Sequence, residues 1–515
     1  MLFIRKCKLL NACTDRFVSE IFLIRSVHKT HSFNKFLTTE NVNPNLKCID
    51  YAIRGLLFER ARNIEKELLE GASKPFKNVL HLNIGDPQSL GQPPITFLRQ
   101  VLTLVTHPVL LDNKIFPEDA KIRAREILAK CPGHSAGSYS DACGMEIIRR
   151  QIAKYIEDRD KIPSHWKWCY IGHGASDVAK KFFNILKVDK DGLKPGILNP
   201  SPGYPFYLAT IAELGMKRID YLLDEDQNWN ININELQRTL NESRNTCNPR
   251  VIVVINPGNP TSHVMSRNSI EEIVKFAHKE NLIIMADEVY QHNIFKPDCN
   301  FVSFKKVMND LGEPYSNVEL VSLMSISKGY YAESGIKGGF GEVLNMDPEV
   351  TPMFVKSISA MLCPSVLAQA AVYASVNPPK PNEPSYEQFL HETGSILGAL
   401  KTSASIAEES FNSLEGVSCN RIEGSIFGFP QITIPKRAIE AANKMGVSPD
   451  EFYALELLSE TGICVVPGSG FKQPPGKYFI RLTLVPKPDE LHKIMERFGK
   501  FHHKFLRNFS YHSTI

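Results

Sequence analysis

Three features are scarce in this chain, and each scarcity excludes a class of protein. The 515 residues carry 60 basic and 56 acidic side chains, a net charge of only +4, so binding to nucleic acid or an anionic membrane through bulk charge is not indicated. No apolar run reaches the roughly 18 residues of a membrane-spanning helix. The 11 cysteines are odd in number and lack a C-x-x-C pair, which argues against a disulfide framework or a zinc site.

The positive charge is concentrated at the N-terminus. Residues 1–35 hold seven basic and two acidic side chains, so the rest of the chain is close to neutral. The segment mixes these charges with Leu, Ile, Phe and Ser, a composition typical of a mitochondrial presequence. We therefore predict that residues 1–42 are a presequence for the mitochondrial matrix. The alternative is an untargeted tail on a cytoplasmic protein.

Buried strands alternate with helices through the middle of the chain. Apolar runs at 250–255, 282–285 and 319–324 are typical of strands covered on both faces. Apolar spacing predicts a helix at about 144–157, and Ser269 is predicted to cap another. This rhythm indicates an α/β fold with a mostly parallel sheet.

After the Pro-rich segment 377–381 the rhythm changes. A long helix is predicted at about 385–412, followed by shorter strands near 427–434 and 478–484. The Pro-rich segment therefore marks a boundary to a second, smaller α+β domain.

The most informative residue is Lys328, in Ser-Ile-Ser-Lys-Gly after a predicted strand. Pyridoxal phosphate chemistry needs a lysine for the Schiff base and for proton transfer, and an acid to keep the pyridine nitrogen protonated. Asp287 ends another predicted strand, and ligands of open α/β sheets bind at such strand ends. Asn259 and Tyr290 suit the phenolic oxygen of the cofactor. Taken alone, Asp287 is equally well a helix cap.

The remaining cofactor and substrate groups also have candidates. A phosphate needs amides and hydroxyls at a helix start, a ring needs a flat neighbour, and a carboxylate needs a bidentate arginine. The candidates for these three tasks are, in order, Ala175, Ser176, Ser325 and Lys337 for the phosphate, Tyr204 for the ring, and Arg481 for the carboxylate. The alternatives stay open: a plain turn, a core aromatic and a structural ion pair.

Several longer segments carry a family resemblance. They include Asn-Pro-Gly-Asn-Pro-Thr at 256–261, Ala-Asp-Glu-Val-Tyr-Gln at 286–291 and Glu-Thr-Gly-Ile-Cys-Val-Val-Pro-Gly-Ser-Gly-Phe at 460–471. From about residue 50 onward the chain resembles the class I aminotransferases, pyridoxal phosphate enzymes of fold type I, and within them the alanine aminotransferase family.

The resemblance implies a fold and an activity. It implies a seven-stranded, mostly parallel sheet in a large domain, residues 116–380, and a smaller α+β domain of 381–515 to which 43–115 contribute. It implies ping-pong transfer of the amino group of L-alanine to 2-oxoglutarate, giving pyruvate and L-glutamate, through a Schiff base on Lys328.

The resemblance also assigns roles. Lys328, Asp287 and Tyr290 are the catalytic residues, Arg481, Gly85 and Asn259 meet the substrate, and the candidates above hold pyridoxal phosphate. Tyr139 matches a tyrosine that reaches the phosphate of a neighbouring subunit, which implies a homodimer with shared sites.

Some positions depart from the family pattern. Ser262 replaces a usual glycine, Lys337 replaces an arginine, and Met324, Ile326, Met361 and Ser425 are also unusual. None of them removes a core catalytic group. They leave open two alternatives: a related transaminase or lyase with another amino-acid substrate, or a weakened paralogue that still binds pyridoxal phosphate.

Overall fold

The computed structural model describes residues 36–49, 51, 53 and 55–510. Residues 1–35, the larger part of the predicted presequence, lie outside the described residues. The chain divides into two compact units, with the boundary after Cys48. The described part of the first unit contains the short 3-10 helix Pro44–Cys48. All other elements belong to the second unit.

Fifteen α-helices lie within the described part of the second unit. They are α1 Leu56–Leu69, α2 Thr96–Thr106, α3 Glu118–Leu128, α4 Glu146–Asp160, α5 Ala175–Ile185, α6 Pro205–Glu213, α7 Ile233–Ser243, α8 Arg267–Glu280, α9 Phe304–Leu311, α10 Val350–Ser359, α11 Val366–Val376, α12 Tyr386–Asn412, α13 Lys436–Met445, α14 Pro449–Thr461 and α15 Pro488–Phe509.

Fifteen strands accompany them among the described residues. They are β1 Leu80–His81, β2 Cys169–Gly172, β3 Pro195–Ser201, β4 Lys217–Asp224, β5 Asn230–Ile231, β6 Asn248–Ile255, β7 Ile283–Asp287, β8 Leu320–Ser325, β9 Gly339–Leu344, β10 Val417–Ser418, β11 Phe427–Gly428, β12 Gln431–Ile432, β13 Ile463–Cys464, β14 Val466–Pro467 and β15 Ile480–Thr483.

The main sheet has the order β2-β9-β8-β7-β6-β3-β4-β5. The five strands from β8 to β4 pair in parallel, whereas β9 runs antiparallel to both its neighbours. The mostly parallel α/β fold is confirmed. The predicted number of seven strands is one too few, because the two-residue strand β5 adds an antiparallel edge to β4.

The main sheet is covered on both faces. Along β6, Val251, Val253 and Ile255 lie in one hydrophobic cluster with α4, α5 and α11, while Ile252 and Val254 lie in another with α7, α8 and α9. Side chains alternate across a strand, so a continuous apolar run fits burial on both sides. This arrangement leaves the carboxyl ends of β6, β7 and β8 as one edge, where Asp287 and Ser325 end their strands.

Three small sheets lie outside the main one. Strand β1 pairs in parallel with β13, β10 pairs with β12, and β15 lies between β11 and β14. The pairing of β1 with β13 joins residues 80–81 to 463–464, so the N-terminal segment packs with the C-terminal part of the chain.

Most predicted elements lie close to the observed ones, and one predicted helix cap is corrected. The helix expected at 144–157 is α4, and the one at 385–412 is α12. The cap of α8 is Ser266 instead of Ser269, because the Ser266 side chain accepts the Ser269 amide. Within the described ranges, no helix is both long and apolar enough to cross a membrane.

Candidate active site

Lys328 lies three residues beyond the end of β8, at the edge formed by the strand ends. Its Nζ donates a hydrogen bond of 2.6 Å to the carbonyl oxygen of Gly85. Burial, together with the nearby positive charge of Arg481, lowers its pKa from 10.5 to about 8. The lysine therefore carries a sizeable neutral, nucleophilic fraction near neutral pH.

Gly85 comes from the N-terminal segment and closes against this lysine. A Cβ atom at Gly85 would lie 3.1–3.2 Å from Ile426, Phe427 and Lys328 Nζ. These distances are tighter than ordinary van der Waals contact, so the absence of a side chain permits the approach.

Asp287 ends β7 in a buried environment. Its Oδ2 accepts a hydrogen bond of 2.9 Å from the hydroxyl of Tyr207. Its Oδ1 is buried and has no hydrogen-bond partner among the described residues. Burial raises the pKa of Asp287 to about 6, while the Tyr207 hydroxyl opposes that rise. One carboxylate oxygen is thus held, and the other is left for a donor from a ligand.

Arg481 lies on β15 and is 1% exposed. Its Nη1 donates to Asn259 Oδ1 at 3.0 Å and its Nη2 donates to Asn83 O at 2.7 Å. The guanidinium carbon lies 4.1 Å from the ring centre of Phe427 and 4.9 Å from that of Phe471. Burial lowers its pKa to about 10. No carboxylate pairs with it in the described part of the chain, so the structural ion pair considered from the sequence is absent there.

Tyr290 is 2% exposed and lies three residues after Asp287. Burial raises its pKa well above the ordinary value, whereas the charge of Arg481 opposes the rise. The charges of Arg481 and Asp287 both act on Tyr290, so the three side chains belong to one site. Asn259 joins the group through its hydrogen bond to Arg481.

The predicted phosphate groups meet where α5, β8 and β9 come together. Ala175 begins α5, and no side chain caps that helix start. A Cβ atom at Gly339 of β9 would lie 2.4 Å from Ala175 N, so the glycine allows β9 to approach the helix start. Ser325 pairs with Gly339 in the sheet, and Ser176 occupies the first turn of α5. A helix N-terminus with free amides favours an anion.

Lys337 and Tyr204 flank this arrangement. Lys337 is exposed, has a φ of 64° and precedes the Gly338-Gly339 pair. Its charge contributes to the lowered pKa of Lys328. Tyr204 precedes α6 and is half-buried; burial raises its pKa, as do the neighbouring hydroxyls of Tyr51 and Tyr290.

Tyr139 does not join the other predicted site residues within this chain. Its side chain is 72% exposed. The neighbouring Ser140 is anchored, because its amide donates to Cys363 Sγ at 3.4 Å and its Oγ accepts from Gln369 at 2.8 Å. Tyr139 is thus an exposed aromatic side chain on a loop that is anchored by hydrogen bonds at the next residue.

Comparison with known proteins shows which family the chain belongs to. The family profile described as aminotransferase class I and II matches residues 109–498. The chain belongs to the class I and II aminotransferase family. It is 47% identical over 478 residues to "Alanine aminotransferase 2-like" of Danio rerio, covering 92% of this chain and 87% of that protein. It is 45% identical to "Alanine aminotransferase 1" of Homo sapiens, covering 92% and 96%.

Solved structures show the same fold. An alanine aminotransferase from Pyrococcus furiosus matches with a TM-score of 0.70 at 21% identity, covering 90% of this chain and all of that one. An aminotransferase from Escherichia coli matches with a TM-score of 0.69 at 24% identity, covering 90% and 98%.

Class I and II aminotransferases use pyridoxal phosphate, and the residues of this site fit that cofactor. The buried, unpartnered Oδ1 of Asp287 suits a protonated pyridine nitrogen. The uncapped start of α5 suits a phosphate. The lowered pKa of Lys328 suits an amine that must attack an aldehyde.

Two of the departures from the aminotransferase pattern are buried turns beside the site. Ser262 has a φ of 59° and donates from Oγ to Phe427 O at 2.7 Å. Ser425 has a φ of 65°, is fully buried, and its Oγ has no partner in the described part of the chain. Both serines occupy the left-handed region that glycine favours.

Apart from Lys337, the three remaining departures divide between core and surface. Met324 and Ile326 are buried, and Met324 Sδ accepts from Gln291 at 2.8 Å. Met361 is 63% exposed.

Sequence reasoning missed two tyrosines in this aminotransferase site. Tyr207 contacts Asp287, and its only sequence signal is its position three residues after Tyr204 on the turn that starts α6. Tyr51 raises the pKa values of Tyr204, Tyr290 and Arg481. It lies in the N-terminal segment, far from all three residues in sequence. No local pattern marks it.

Proposed function

We propose that this aminotransferase transfers the amino group of L-alanine to 2-oxoglutarate, giving pyruvate and L-glutamate. The observation that carries the proposal is the similarity to proteins named alanine aminotransferase, at 45–47% identity over about nine-tenths of the chain. The site supports it, because one buried guanidinium, with no carboxylate partner among the described residues, acts electrostatically on the buried Lys328.

In the proposed reaction, each side chain has a separate task. Arg481 binds the α-carboxylate of the amino acid and thereby places the α-carbon near Lys328. Lys328 Nζ takes the proton from that carbon and returns it in the second half-reaction. Bound pyridoxal phosphate supplies an electron sink for the pair left behind. With the cofactor bound, Asp287 would keep its ring nitrogen protonated, and Asn259 and Tyr290 would hydrogen-bond its phenolic oxygen.

The proposed holding of the cofactor uses the remaining residues. Ala175, Ser176 and Ser325 contribute amides and hydroxyls to the phosphate, and Lys337 contributes a cation. Tyr204 would stack against the ring of the bound cofactor. Gly85 closes the N-terminal segment over the substrate, supported by its contact with Lys328.

We also propose that the enzyme is a homodimer in which Tyr139 reaches the phosphate of the partner's site. The support is an exposed aromatic ring on a loop whose next residue is anchored by Cys363 and Gln369. Mixing inactive Lys328→Ala and Tyr139→Ala proteins tests this arrangement. A mixed dimer has one site with both residues intact, so activity should reappear on mixing if the sites are shared and should stay absent otherwise.

The domain boundaries and location remain parts of the proposal. Residues 116–380 form the larger domain, and 381–515 form the smaller one with 43–115; the pairing of β1 with β13 supports this grouping. The composition of residues 1–42 supports a presequence for the mitochondrial matrix. Fusing residues 1–42 to a fluorescent protein and locating it in cells tests the targeting.

The reaction itself is tested by a half-reaction screen. Purified protein loaded with pyridoxal phosphate is mixed with single amino acids, and conversion of the cofactor to its amine form is followed by absorbance. Alanine should give fast conversion, which 2-oxoglutarate should reverse. No change with alanine, with conversion by another amino acid, would refute the proposed substrate. Lys328→Ala is the control, since it retains the pocket but lacks the amine.

A further inference from the structure

Among the described residues, Tyr207 is the side chain that donates a hydrogen bond to Asp287, the acid of the site. It lies in the first turn of α6 and is 1% exposed. Its hydroxyl donates to Asp287 Oδ2 at 2.9 Å, across a sequence separation of 80 residues. The other oxygen of the same carboxylate, Oδ1, is buried and has no partner among the described residues. The hydrogen bond therefore selects which oxygen remains for a ligand.

The chemistry of the acid makes this contact consequential. A buried carboxyl group favours its neutral form, and burial raises the pKa of Asp287 to about 6. A hydrogen bond donated to the ionised oxygen opposes that effect. A tyrosine does so without adding a positive charge, so the negative charge of Asp287 stays available to a protonated ring nitrogen.

The direction of the hydroxyl is fixed by packing. The Tyr207 ring lies 5.1 Å from Phe206 and 6.2 Å from Phe183, both near-perpendicular contacts. It also lies 6.2 Å from the ring of Tyr204, the predicted stacking residue. One helix turn thus places both the ring that faces the cofactor and the hydroxyl that orients the acid.

We infer that Tyr207 is a positioning residue that turns Asp287 Oδ1 toward the cofactor ring nitrogen and keeps the carboxylate ionised. Of the proposed function, the inference requires only that the protein binds pyridoxal phosphate. It does not depend on which amino acid is the donor.

The substitution Tyr207→Phe tests the inference, because it retains the ring and removes the donor. The dissociation constant of pyridoxal phosphate should rise roughly tenfold, as expected for one hydrogen bond to a charged group. The pH midpoint of the bound cofactor's absorbance should shift as well. Tyr221→Phe is the matched control, since its buried hydroxyl donates to the backbone oxygen of Val253 at 2.7 Å. The control should change neither quantity.

A double-mutant cycle separates positioning from general packing. In an Asp287→Asn background the charge is absent, so Tyr207→Phe should change the cofactor dissociation constant less than threefold, by the coupling that links neighbouring groups. An equal loss in both backgrounds, or unchanged affinity and absorbance in the single variant, would overturn the inference. All readouts are taken without an amino donor, so a failed alanine reaction leaves this result intact.

Discussion

Replacing Arg481 by methionine should separate activity from stability. The side chain is buried without a carboxylate partner in the described residues, so its positive charge destabilises the fold. It is also the proposed ligand for the substrate carboxylate. Methionine has a similar length and no charge. We therefore expect Arg481→Met to abolish efficient turnover and to leave the free energy of unfolding nearly unchanged.

The magnitude follows from opposing contributions. Burial lowers the pKa of Arg481 from 12.5 to about 10, which corresponds to roughly 3 kcal/mol of destabilisation below pH 10. Removing the guanidinium also leaves Asn83 O and Asn259 Oδ1 without a donor, at about 1 kcal/mol each. The lost contacts with Phe427 and Phe471 cost about 1 kcal/mol more. The free energy of unfolding should therefore stay within about 2 kcal/mol of the natural protein.

Urea unfolding of the cofactor-free protein measures the stability, and the half-reaction with alanine measures kcat/KM. Loss of a buried charged contact to the substrate is worth about 2–5 kcal/mol, or roughly 30-fold to several thousand-fold in kcat/KM. Arg123→Met is the matched control. Arg123 is 3% exposed but pairs with Glu383 at 2.6 Å, so its removal should destabilise by about 3 kcal/mol. A loss above about 4 kcal/mol for Arg481→Met, or kcat/KM within threefold of the natural enzyme, would refute the reasoning.

Three further predictions concern the lysine, the acid and a strained turn. The pKa of Lys328 is lowered to about 8, so the rate of covalent attachment of pyridoxal phosphate to the cofactor-free protein should depend on pH. The rate should fall about tenfold per pH unit below 8 and level off above it. A rate independent of pH, followed by absorbance, would contradict this prediction. The pKa of Asp287 is raised from 3.8 to about 6, so the ionised group destabilises the cofactor-free fold above pH 6. Asp287→Asn should therefore raise the free energy of unfolding by up to about 3 kcal/mol at pH 8. This gain in stability should disappear near pH 4. An equal effect at both pH values would show that the charge is not responsible. Ser262→Gly should change the free energy of unfolding by less than about 1 kcal/mol, because relief of its positive φ offsets the lost bond to Phe427 O, whereas Ser262→Ala keeps the strain and should destabilise by about 1–2 kcal/mol in the same urea measurement.

The sequence predicted those helices and strands whose formation depends on residues that are neighbours in the chain. Continuous apolar runs identified β6, β7 and β8, because a strand covered on both faces needs apolar side chains at every position. The parallel order then placed Asp287 and Lys328 at one edge of the sheet. Strand β5 was missed because two residues are too few for any periodic signal.

The parts that were missed depend on tertiary contacts. Ser269 and Ser266 are both plausible caps, and only the observed helix start distinguishes them. The contact of Tyr207 with Asp287 depends on how α6 packs against β7. The role of Tyr51 depends on where the N-terminal segment returns. None of these is encoded within a few neighbouring residues.

The bond between Arg481 and Asn83 has a consequence for how the protein folds. The two residues are 398 positions apart, and Lys328 meets Gly85 across 243 positions. Such distant contacts form only after large loops have closed, which is slow compared with local helix formation. During refolding, helical signal should recover first and the ability to bind substrate last. A chain made from its N-terminus, as on the ribosome, cannot complete this site until Arg481 has been synthesised.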